Sequence, residues 1–94
     1  MLKESFAVMS GRHSSQQLIA ALVAHDSVVI MKAGRSRQKI IEALKKTKRQ
    51  GEAKYLEYIG REGEVIQHDI NQLSGESGPY FSLFVITKQE RDRS

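Results

Sequence analysis

In the run Ser27-Val28-Val29-Ile30-Met31 the last four residues are an unbroken apolar stretch, set between two segments of helical period. Valine and isoleucine are stiff at χ1, which a helix penalises and a pleated strand accommodates. The run therefore reads as a strand, and its continuity predicts cover on both faces. Before it, Leu18, Ile19, Leu22 and Val23 recur at helical spacing behind Ser14-Ser15-Gln16-Gln17, a capping-box pattern with serine first and glutamine three later. That places a helix over residues 15–25. After it, Ile40, Ile41 and Leu44 repeat in the same way, with Ser36 as cap and Gly51 at the terminus. That places a second helix over residues 36–50.

Around this centre the chain supplies further strands. Residues 5–9, SFAVM, form a short apolar opening, and Gly11-Arg12-His13 turns it toward the first helix. Residues 53–59 alternate, with Ala53, Tyr55, Glu57 and Ile59 on one face and Lys54, Leu56 and Tyr58 on the other. Residues 60–67, GREGEVIQ, make a glycine-bounded turn and a short extended piece, and Asp69 caps one helical turn. Residues 74–78 form a loop, Pro79 launches a last strand over residues 80–87, and the tail 88–94 is polar. Strand, helix, strand, helix, strand is an α/β order. The expected fold is a small three-layer α/β domain with a mixed, mainly parallel sheet of four or five strands and two main helices. All 94 residues belong to this single domain.

Composition narrows the function classes. The chain has no cysteine, which excludes a disulfide framework, a cysteine–zinc site and a thiol nucleophile. No apolar run approaches the ~18–20 residues that span a bilayer. The opening MLKESFAVMSG lacks the apolar core of a signal peptide, so a cytoplasmic protein with no membrane partner is expected. The net charge is +4, and residues 35–49 carry seven cations (Arg35, Arg37, Lys39, Lys45, Lys46, Lys48, Arg49) against one anion, Glu42. Such a stripe could bind nucleic acid as a small basic module, or it could be a solvated helix face. No aromatic residue interleaves with these cations, so the stacking platform of a single-strand binder is missing and nucleic acid is the weaker alternative.

Conventional catalytic machinery is also missing. His13, His25 and His68 stand far apart without a partner at ligand spacing, and no metal site is expected. The sequence contains no nucleophile elbow, metalloprotease helix, Walker loop or dinucleotide fingerprint, and no catalytic residue is assigned. Glu57, Glu62 and Glu64 gather around a glycine turn, where solvated loop acids are the stronger reading and an acid–base pair the weaker one. What remains is the backbone: ligands of open α/β sheets sit beyond the carboxyl ends of strands. Two junctions qualify, residues 31–35 after the second strand and residues 59–64 after the third.

Those junctions carry a resemblance. VVIMKAGRSRQKIIEAL, then AKYLEYIGREGEVI, then PYFSLFVI resemble, in order and spacing, the carboxyl-terminal half of the tetrapyrrole methylase family. The closest likeness within it is to the precorrin-2 C(20)-methyltransferases of cobalamin biosynthesis. The resemblance implies a homodimeric enzyme that binds S-adenosylmethionine in a cleft between two α/β halves and methylates a precorrin-2-type tetrapyrrole. It implies that Met31 contacts the cofactor from the strand end, and that Ile59 and Gly60 approach the adenosine through their backbone. Isoleucine at 59 is bulkier than the family's small residue, and Gly60-Arg61 replace its threonine and methionine. Lys32 and Arg35 would face the carboxylates of the substrate. The family's glycine-rich cofactor loop lies in its amino-terminal half and has no counterpart in these residues. The chain is thus expected to correspond to the carboxyl-terminal domain and to share its cofactor and substrate sites with that other half.

Overall fold

The capping box starts the first helix as its sequence predicts. The Ser14 hydroxyl accepts the Gln17 N–H at 3.1 Å, and the Gln17 side-chain oxygen accepts the Ser14 N–H at 3.0 Å. The computed structural model describes residues 5–58, 60, 62–73, 78–79 and 81–88. Its elements are β1 (Phe6–Ser10), α1 (Ser15–Ala24), β2 (Ser27–Met31), α2 (Arg37–Lys46), β3 (Ala53–Glu57), β4 (Val65–Gln67) and β5 (Ser82–Ile86). Short 3-10 turns precede α2 and β3, and a third, Ile70–Gln72, opens on Asp69, whose carboxylate accepts the Asn71 N–H at 3.0 Å. That single turn lies where the sequence places it.

The five strands form one mixed sheet in the order β1-β2-β5-β3-β4. β1 and β2 pair in parallel, whereas β5 is antiparallel to both of its neighbours, β2 and β3. β1, β2 and β3 therefore run the same way, but β5 separates β2 from β3. Of the ladders among the described residues, only β1–β2 is parallel, so the expectation of a mainly parallel sheet holds for strand direction and not for pairing. The most apolar late segment takes the central slot, where both of its edges are hydrogen-bonded.

Alternation along the strands gives the sheet two unlike faces. Val28, Ile30, Ala53, Tyr55, Phe84 and Ile86 point to one face and join Leu18, Leu22, Ile40, Ile41 and Leu44 in a single core. Both helices thus cover that face. The expected three-layer arrangement is not found among the described residues, which make two layers. For the same reason β2 is covered on one face only, with Val28 and Ile30 buried and Met31 45% exposed. Continuity of the apolar run overstated its cover. On the helix-free face Met31, Leu83, Leu56 and Ile66 form one cross-strand row, and Phe6 and Val8 of the edge strand lie exposed.

α2 stops earlier than expected, at Lys46, and Gly51 lies beyond it in the 3-10 turn Gln50–Glu52. The terminator is Lys48, whose φ of 59° puts it in the left-handed region, while the Arg49 N–H donates to the Leu44 carbonyl at 2.9 Å. This is a Schellman ending without its usual glycine. Lys48→Gly should therefore stabilise the fold by about 1 kcal/mol by removing the left-handed penalty. Thermal unfolding checks it: a melting temperature raised by roughly 4–8 °C is expected, and an unchanged one refutes it.

Candidate functional site

Because β1, β2 and β3 share a direction, their carboxyl ends open on one edge of the sheet, where β5 begins. The β2–α2 junction there is held by close backbone packing. The Gly11 N–H donates to the Met31 carbonyl at 2.8 Å, the Ala33 N–H to Ser82 at 3.3 Å, and the Gly78 N–H to Gly34 at 2.9 Å. A Cβ at Gly34 would overlap the backbone oxygen of Pro79 and stand 2.5 Å from that of Gly78. Lys32, at φ 54°, takes a left-handed conformation unusual for a residue with a side chain. Such backbone strain persists only where the surroundings fix it, and it concentrates at binding sites.

This junction borders a recess of about 560 Å³, lined among the described residues by Arg12, Lys32, Gly34, Arg35, Ser36 and Gly78. None of these lining residues is acidic. The structure therefore brings Lys32 and Arg35 into one recess, as a shared anion-binding role requires. Met31 does not line it; its side chain sits one residue away on the helix-free face. Gly60, at φ 75° and exposed, belongs to the β3–β4 connection, and it too lies outside the recess. Ile59 lies outside the described residues. Ser36 was expected to cap α2, but no side-chain capping bond forms, because the chain enters through the 3-10 turn Gly34–Ser36. Arg12 was passed over in the sequence. Its signal was faint: a cation in the turn just after β1, at the same sheet edge.

Behind Gly78 lies a second polar group. Arg37 Nη2 donates to the Tyr55 hydroxyl at 2.9 Å and to Glu57 Oε2 at 3.1 Å, and the Tyr55 hydroxyl donates to that same Oε2 at 2.7 Å. The guanidinium carbon stands 4.6 Å from the Tyr55 ring centroid, a cation–π contact. Burial, opposed by the hydrogen bond from Arg37 and reinforced by Glu57, holds the Tyr55 phenol above its ordinary pKa. Glu57 is thus an ion-pair partner, while Glu62 and Glu64 are exposed. The three acids do not form one acid–base cluster.

The same packing takes three of the seven cations out of the basic stripe, while Arg35, Lys45, Lys46 and Lys48 stay exposed. Arg37 is buried, Lys39 Nζ donates to the His13 carbonyl at 2.8 Å, and Arg49 donates to the carbonyls of Leu22, His25 and Asp26 at 2.6–2.8 Å. Arg49 also pairs with Glu52 at 2.6 Å, so it clamps the carboxyl end of α1. Among the described residues, no cluster of three or more His, Cys, Asp or Glu side chains is placed to hold a metal ion. Nor is any of their helices long and apolar enough to cross a membrane.

No protein-family model matches the sequence, and no curated protein matches it. Solved structures do. The crystal structure of the methyltransferase CobJ superposes with a TM-score of 0.69 at 10% sequence identity, over 97% of this chain and 44% of that one. The chain thus spans less than half the length of that protein. At so low an identity the likeness concerns architecture. This small α/β domain, with its mixed five-stranded sheet and two helices, has the fold of one part of the methyltransferase CobJ.

Proposed function

We propose that the chain is the carboxyl-terminal domain of an S-adenosylmethionine-dependent tetrapyrrole methyltransferase acting on a precorrin-2-type substrate, working as a homodimer. The observation that carries this reading is the sheet edge itself. The junction that resembles the methylase motif in sequence stands at the strand ends and places Lys32 and Arg35 together in a cationic recess. A fold shared with a methyltransferase agrees with it in kind. The helix-free face, with Phe6, Val8 and Ile66 exposed, supports a partner surface of the kind a dimer uses.

The residues fit one wall of a cofactor site. Met31 presents a half-exposed thioether at the head of an apolar row, and Gly60 offers backbone unencumbered by a side chain. The cofactor, when bound, supplies an activated methyl group. The chain's own contribution is positional: Met31 would hold the cofactor by apolar contact, Gly60 would admit its close approach, and Lys32 and Arg35 would orient the carboxylates of the substrate. Alignment and exclusion of water need no protein nucleophile, which agrees with the sequence.

Calorimetry tests this with the chain mixed with the separately produced amino-terminal domain of a tetrapyrrole methylase. S-adenosylmethionine should bind the mixture more tightly than either part. Apolar contact with Met31 is worth about 1–2 kcal/mol, judged from partial burial of a methionine. Met31→Asp should weaken binding by at least about tenfold, since it sets an unpaired charge against an apolar wall. Lys45→Glu with Lys46→Glu, at the far end of α2, should leave it unchanged. Equal losses in both variants would remove Met31 from the cofactor wall.

A further inference from the structure

We propose that the recess at the β1–β2 edge is an anion site that this chain forms by itself, that its ligand carries two neighbouring carboxylates, and that Arg12 is its third arm. Its cations come from two segments, Arg12 from the β1–α1 turn and Lys32 and Arg35 from the β2–α2 junction. The segments are pressed together by backbone. Besides the Gly11–Met31 hydrogen bond, a Cβ at Gly11 would stand 2.7 Å from the Lys32 carbonyl oxygen and 3.2 Å from the Ala33 Cα. Only glycine at position 11 allows that approach. The Arg12 N–H is in turn fixed at 3.1 Å from the Ser10 hydroxyl. The turn bearing Arg12 is therefore held against the junction bearing Lys32.

Arg12 and Arg35 face one recess and repel one another, and none of its described lining residues is an acid that would offset this. Among the described residues, the guanidinium groups of Arg12 and Arg35 have no hydrogen-bond or ion-pair partner. The start of α2 adds to the positive field. It carries no side-chain cap and no acid in its first turn, and Ser36 brings a hydroxyl to the recess wall. An anion removes that repulsion and accepts from the two guanidinium groups at once.

The donor set selects the kind of anion. A guanidinium fork matches a planar carboxylate through two parallel hydrogen bonds, so two arginines suit two carboxylates. The lysine ammonium, a compact point charge, can bridge them. Pockets of ~300–1,000 Å³ take ligands of modest size, and this recess lies in that range, at about 560 Å³. A small polycarboxylate fits whole, and a larger one would place only its carboxylate arms there. Lys32 and Arg35 are shared with the methyltransferase reading. Methyl transfer can nevertheless fail while the recess binds anions, or succeed while it does not, because the test reads binding to this chain alone.

The experiment is calorimetric titration of the chain at fixed ionic strength with tricarballylate, with propionate and with inorganic phosphate. Tricarballylate should bind at least about tenfold more tightly than propionate, and more tightly than phosphate. Arg12→Gln should lower the tricarballylate affinity about tenfold, as expected for loss of a charge-assisted hydrogen bond. Lys45→Gln with Lys46→Gln should leave it unchanged. Arg12 is exposed, so Arg12→Gln should melt with the parent, and circular dichroism verifies that the variant is folded. Absence of saturable tricarballylate binding, or binding indifferent to Arg12→Gln, overturns the site. Tighter binding of phosphate than of tricarballylate overturns the ligand class.

Discussion

Gly34→Ala should cost about 3 kcal/mol of stability, although it adds a single methyl group at a residue whose φ is ordinary. The added Cβ has nowhere to go: the backbone oxygens of Pro79 and Gly78 already occupy its place. A flexible side chain could rotate away, but a carbonyl can yield only if its peptide moves. Such movement would pull residues 78–79 from the β2–α2 junction and strain the Gly78–Gly34 hydrogen bond, now 2.9 Å long. Gly51→Ala is the control, since a Cβ there meets nothing within 4 Å. It should change stability by no more than about 0.5 kcal/mol. Thermal unfolding should show Gly34→Ala melting at least about 10 °C below the parent and Gly51→Ala beside it. Two coincident melting curves would mean that the junction is looser than its geometry implies.

The contrast between these glycines marks what the sequence could and could not reveal. Gly51 appeared the more meaningful, as a helix terminator, yet Lys48 ends α2 and Gly34 is the residue that cannot be replaced. Close approach depends on residues more than forty positions away, and local pattern carries no trace of it. Local signals fared well where the cause is local. The capping box at Ser14 and Gln17, the strand Ser27–Met31 and the Asp69 turn are fixed by side chains adjacent in the chain. Strand order was not legible, because placing β5 between β2 and β3 is decided by burial across the whole sheet. Lys32 and Arg35 could be paired through the resemblance that their junction carries. Arg12 could not, since its place in the recess follows from the parallel pairing of β1 with β2.

Counting charges misled most at Arg37, and its removal should have one of the largest effects in the molecule. In the sequence Arg37 is one of seven cations in a stripe. In the structure its side chain is 10% exposed and that of its ion-pair partner Glu57 is 14% exposed. Arg37→Leu preserves much of the apolar stem but leaves the Glu57 carboxylate, largely out of water, with only the Tyr55 hydroxyl at 2.7 Å among the described partners. Breaking a buried pair from one side costs about 3–5 kcal/mol, most of it the uncompensated charge. If that is the origin of the loss, removing the second charge should return part of it. Arg37→Leu with Glu57→Leu should therefore be more stable than Arg37→Leu alone, by about 1–3 kcal/mol, even though it carries one more substitution. Urea denaturation of the parent, both single variants and the double variant closes the cycle. Strictly additive losses would show that Arg37 and Glu57 are not coupled, and that Arg37 stabilises the fold through its contact with the Tyr55 ring instead.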